Sequence, residues 1–285
     1  MSSSATPPSA RISGRALAGL LVLVAALGVA FVELPRTLAA NRSTGDLADR
    51  RNLVKAVQGT FDGYWRSGDR EFSAGLKEVV GYWFRYHLAK ASIAALMLAV
   101  FVALAIVVCR ALLRGGRQHA WRTAILASAS GAFTLLALAS LVTVMANVQG
   151  AVAPFASLLP MLTDGAADPE LAETLDQVRQ GLADPSAGRQ SHSALQVMVS
   201  DFSRFHVALA VSAAVVALIV VGLSVMLWRR FAASRPTDRR TRRVFAAFGT
   251  FAALLVLALT IVAVANMTTA AQPTSALLAF FNGHW

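Results

Sequence analysis

Five stretches of this chain are apolar, free of acidic residues and as long as a lipid bilayer is thick. They cover residues 16–32, 86–109, 123–148, 206–228 and 244–267. At a rise of 1.5 Å per residue, about 20 helical residues cross a hydrocarbon core of about 30 Å. The first stretch only just suffices. The composition agrees: 56% of the residues are hydrophobic and 14% charged, against about 25% charged in soluble domains. The reading is an all-α polytopic membrane protein with five transmembrane helices. Lys90 is the one cation inside a stretch, near an end where its amine can snorkel to the headgroups.

Arg11 and Arg15 ahead of an apolar run also describe a signal peptide. The following residues, Glu33-Leu34-Pro35-Arg36-Thr37-Leu38-Ala39-Ala40, offer no clean small-x-small cleavage site, so the first span is expected to stay.

The cations give an orientation. Segments 1–15, 110–122 and 229–243 hold 13 Lys and Arg against one acid, Asp238. The alternate segments, 33–85, 149–205 and 268–285, hold 12 against 14 acids. Short Arg-rich loops stay cytoplasmic. That makes 1–15 a cytoplasmic tail and the other two basic segments cytoplasmic loops. It places the C-terminus outside, in a plasma membrane. The formal charge of +11 then faces anionic inner-leaflet lipid, and no basic domain exists for nucleic acid. Arg outnumbers Lys 23 to 3, which suggests a GC-rich bacterial genome.

The sequence also echoes itself at a period of 119. Arg85-Tyr86-His87 returns as Arg204-Phe205-His206, Arg110 as Arg229, Ala146-Asn147 as Ala265-Asn266, and Pro35 as Pro154 and Pro273. Both copies cross the membrane in the same sense, so the repeats are parallel, unlike the inverted repeats of many transporters. The unit reads as helix, basic inner loop, helix, then an outer segment starting at Pro. Segments 33–85 and 149–205 are expected to be helical hairpins. One carries Leu53, Val57, Phe61 and Trp65 on one stripe, with Phe72, Leu76, Val79 and Trp83 on the next. The other carries Leu171, Leu175, Val178 and Leu182 after the N-terminal signal Asp168-Pro169-Glu170. Its turn is expected at residues 184–188. Neither hairpin alone is large enough for a good core, so the two are expected to pack together. Trp83, Phe84, Tyr86 and Trp285 fit an interfacial aromatic belt.

His87 and His206 are the sharpest candidates for chemistry. Each stands at the outer end of a span, followed by small residues at four-residue steps: Ala91, Ala95, Ala99 and Ala103, or Ala210, Ala214 and Gly222. Such stripes mark close helix contacts, or a face for an oligomer. Two histidines at one depth could bind one haem, with Arg85 and Arg204 near the propionates. The plainer reading makes them interhelical hydrogen-bond partners, joined by Asn147 and Asn266 in an outer polar cluster with the two arginines.

No catalytic or metal-ligating motif is visible. The outer carboxylates read as solvated faces and caps, Cys109 as a small apolar residue, and Arg239-Arg240-Thr241-Arg242-Arg243 as a headgroup anchor. Ion-coupled transport places ionisable groups at mid-membrane, and these spans have none there. The expected function is therefore a non-catalytic interaction or scaffold role through the outer helices. The lipid bilayer and a membrane or extracytoplasmic protein are the partners. The alternative is a haem-bearing electron carrier using His87 and His206. A small-molecule permease is a weaker third reading.

Overall fold

The structure, a computed structural model, describes residues 14–114, 120–165, 168–184 and 193–284. Residues 185–188 of the turn expected at 184–188, Trp285 of the aromatic belt and Arg11 lie outside the described residues, as do the side chains of Arg15, Arg114 and Arg117. The described residues are all-helical. Nine α-helices follow in order: α1 Gly14–Ala39, α2 Arg50–Ser67, α3 Ala74–Arg114, α4 Ala120–Val152, α5 Pro154–Leu158, α6 Pro169–Ala183, α7 Ser193–Ala233, α8 Arg239–Ala271 and α9 Pro273–Phe281. Two single 3₁₀ turns, Gly45–Ala48 and Leu159–Thr163, link them.

Five helices (α1, α3, α4, α7 and α8) are long and apolar enough to cross a membrane. A helix pairs its backbone groups within itself along its length, as a lipid environment requires. α3 and α7 are both 41 residues long, or about 60 Å, twice a hydrocarbon core. Each is therefore about twice as long as a single crossing needs. α4 and α8 are both 33 residues long. α7 and α8 begin and end 119 residues after α3 and α4. α3 lies along α4 and α7 along α8, while α1 packs on α3 and α4 on α7.

Four-residue stripes do not predict the faces that pack. Ala91 and Ala210 are buried, but Ala95, Ala99, Ala103, Ala214 and Gly222 are exposed. The buried positions from Ala91 onward on α3 are Ala91, Ile93, Ala94, Phe101, Leu104, Val108 and Leu112, and those from His206 onward on α7 are His206, Ala210, Ala213, Ala217 and Val220. On α7 the steps alternate between four and three, and on α3 they are irregular. A strict four-residue step gains about 40° per turn on a 3.6-residue helix, so it leaves the contact seam within three steps.

α1 departs from expectation too. It runs through Pro35 to Ala39, although its counterparts Pro154 and Pro273 each open a new helix. A proline inside a helix forfeits one backbone bond, and the extra turn leaves end carbonyls to satisfy. Arg85 meets one of them, its Nε donating to the Ala39 carbonyl at 2.8 Å. Ala39 is fully buried.

The segments between the long helices share one core. Leu53, Val57, Phe61, Tyr64 and Trp65 of α2 meet Leu76 and Val79 of α3, and Phe155, Leu158, Leu159 and Leu162 from α5 and the turn after it. Leu171, Leu175, Val178 and Leu182 of α6, Leu195 and Met198 of α7, and Leu277 and Phe281 of α9 complete it. α2 starts at Asp49, whose side chain accepts from the Arg51 and Asn52 N–H groups. Those bonds hold the carboxyl below its usual range. α2 ends at Gly68, whose φ of 68° is the left-handed turn that favours glycine. Asp168 caps α6 through the Leu171 N–H, with Pro169 at the first helical position.

Candidate functional site

The two histidines occupy matching niches. α3 and α4 face each other where the apolar run of α3 begins, and His87 Nδ1 lies 3.0 Å from Asn147 Oδ1. Asn147 Nδ2 donates to the Thr143 carbonyl one turn earlier at 2.7 Å. That fixes the amide so that its oxygen accepts, which puts the imidazole proton on Nδ1. In the α7–α8 pair, His206 Nδ1 lies 2.8 Å from Asn266 Oδ1, and Asn266 Nδ2 donates to Val262 at 2.9 Å. The rings nearby correspond as well. Trp83 stands edge-on to His87 at 4.8 Å between centroids, and Phe202 stands against His206 at 4.7 Å.

The niches differ at one wall. Beside His87 the α4 backbone carries Gly150, and a Cβ built there would lie 2.6–2.7 Å from three ring atoms. Only glycine lets the imidazole face lie on α4. The corresponding residue 119 later is Thr269, which is half-buried and turns its hydroxyl onto the Ala265 carbonyl. The sequence marks Gly150 only as one glycine among 19, and its role appears only through the ring beside it.

Of the six residues of the polar cluster, the structure joins His87 with Asn147 and His206 with Asn266, each within its own helix pair. Arg85 bonds the Ala39 carbonyl instead. The side chain of Arg204 is 62% exposed, 3.7 Å from Asp201. Lys90 rests on the faces of Phe31 and Tyr86, at 4.7 and 5.2 Å from their centroids. A protonated Nδ1 puts the ring's lone pair on Nε2, the tautomer of a metal-ligating histidine. In both residues, however, Nε2 is buried within the helix pair, and Gly150 covers the ring of His87. An iron plane would have to part the helices, so the niches as built do not fit haem. Among the described residues, no group of three His, Cys, Asp or Glu could hold a metal ion.

Beyond these niches, polar bonds tie together the segments between the long helices. Trp65 Nε1 donates to Gln177 at 2.9 Å and Thr174 to Asp62 at 2.6 Å. Gln58 donates to the carbonyls of Met161 and Asp164, and Arg50 pairs with Asp164 at 2.6 Å. Asp201 accepts the Ala156 N–H at the start of α5. None of these partnerships has a local sequence signal. Burial pushes the Tyr64 phenol up to about 12, with a smaller contribution from Asp69. The chain matches no protein family, no curated protein and no solved structure.

Proposed function

We propose that this is a multi-pass plasma-membrane protein, N-terminus inside and C-terminus outside, whose outer helices form a non-catalytic interaction module. The single core shared by α2, α5, α6 and α9 with the ends of α3 and α7 carries the reading. It makes one rigid body of segments that loops would otherwise leave apart, presented on five spans. The long helices are two copies of one unit related by 119 residues, and α1 is the second helix of an incomplete unit. Matching helix bounds and the two His–Asn niches support the duplication. The niches act as interhelical fasteners. Photo-crosslinkers at Arg51 and Glu173, both exposed, test the interaction reading in native membranes. A discrete protein adduct, absent when the probe moves to the lipid-facing Leu218, is expected. Identical lipid-only products from all three positions would overturn it.

The haem reading is favoured only by the Nδ1 bonds that orient both rings. An optical spectrum of purified protein decides it: a Soret band lost in His87→Ala would establish haem binding, and the absence of one would remove this reading.

A further inference from the structure

The last turns of α7 carry a recess of about 520 Å³ where the apolar stretch 206–228 gives way to the Arg-rich loop. Gly222, Val225 and Met226 line the part within the apolar stretch, and Arg229, Arg230 and Ala233 the part beyond it. Steps of three and four residues put all six on one face of the helix. From Arg229 back to Gly222 the floor runs about 10 Å toward the middle of the span. Nothing lies within 4 Å of where a Cβ on Gly222 would stand, so the deep end of the floor is open.

Two cations stand where the apolar floor ends. Arg229 and Arg230 are exposed, and among the described residues neither meets a carboxylate. The one acid of the loop, Asp238, is committed to the start of α8, where it accepts the Thr241 N–H at 3.1 Å. Arg242 is used differently, by the fold itself. Its guanidinium lies 4.1 Å from the Phe231 ring centroid and donates to the Phe231 and Ser234 carbonyls at the end of α7. The first copy lacks the pair: Arg229 corresponds to Arg110, but Arg230 corresponds to Ala111 and Gly222 to Ala103.

We infer that this recess seats one anionic glycerophospholipid, its phosphate between Arg229 and Arg230 and an acyl chain along Met226, Val225 and Gly222. The residues follow the order of a lipid. The cations lie at the boundary of the apolar stretch, where headgroups lie, and the floor descends from them to the depth of the tails. A guanidinium suits a phosphate oxygen, and two cations with no acid beside them favour a headgroup of net negative charge over a zwitterion. Ala233, one turn further on, leaves room beside the guanidiniums for that headgroup. That this leaflet is the cytoplasmic one rests on the topology proposed above.

The test uses the full chain, purified in mild detergent, delipidated and exposed to equal amounts of phosphatidylglycerol and phosphatidylcholine. Retained lipid is counted by native mass spectrometry. Wild type should keep one phosphatidylglycerol in preference to phosphatidylcholine. Arg229→Gln and Arg230→Gln should each weaken it about tenfold, as one lost charge-assisted hydrogen bond implies. Arg110→Gln, the matched change in the first copy, should leave it unaltered. Gly222→Phe fills the deep end with every arginine intact and should release the lipid too. All four positions are exposed, so the variants should melt with wild type. Equal retention of the two lipids by wild type overturns the site. So does undiminished retention by Gly222→Phe, or a loss in Arg110→Gln equal to that in Arg230→Gln, since either result means diffuse attraction to a basic surface. Retention in detergent does not depend on which side the loop faces. Inverted topology would appear separately, as protected rather than labelled cysteine at position 173.

Discussion

The α3–α4 pair and the α7–α8 pair have the same helix lengths, the same His–Asn bond and the same edge-on ring beside the histidine. They differ where each meets the shared core. The first is filled at Phe155 and pressed tight at Gly150, whereas the second is open at Thr274 and looser at Thr269. Equal bonds in unequal surroundings separate two contributions. The polar bond is common to both pairs, whereas the packing beside it is not, and both pairs contribute side chains to the shared core.

Substitutions at matched positions sharpen that contrast. Phe155→Ala should cost about 3–5 kcal/mol, as expected for a buried aromatic ring, while Thr274→Ala should stay within about 0.5 kcal/mol of wild type. Thermal unfolding in detergent measures both, and equal losses would erase the distinction. Gly150→Ala drives a methyl into the His87 ring and should cost about 1–3 kcal/mol. Thr269→Ala, where nothing presses, should be near neutral. Alkaline unfolding probes the filled half. The Tyr64 phenol is raised in the folded state, so its contribution is complete below about pH 10 and fades as pH climbs toward 12. Tyr64→Phe should flatten that part of the pH–stability curve, and an unchanged slope would show that another group causes it. His87→Ala and His206→Ala should each cost under about 1 kcal/mol, because interhelical hydrogen bonds in membranes are weak.

The long helices were legible because their signal is local. Apolar length, the absence of acids and the Asp168-Pro169 start are all written in neighbouring residues. Pairing His87 with Asn147 and His206 with Asn266 was foreshadowed by their common period. The arginines were misleading. Arg85 sits beside His87 in sequence but serves the end of α1, 46 residues away. The central role of Phe155 was also hidden. The segment after Pro154 has no amphipathic stripe long enough to read, and its burial depends on rings from α2 and from Phe72 just before α3. The alanine stripes do not follow the seam within the chain, because a four-residue step drifts off a 3.6-residue helix, whereas the α7 seam alternates four and three.

The central claim is that the shared helical core lies outside the membrane and the Arg-rich loop between α7 and α8 inside. Single cysteines at Glu173 and Thr237, both exposed, on a Cys109→Ser background can be treated in intact cells with a membrane-impermeant maleimide. The account predicts labelling at 173 in intact cells, and at 237 only after lysis. Labelling at 237 with protection at 173 would contradict it.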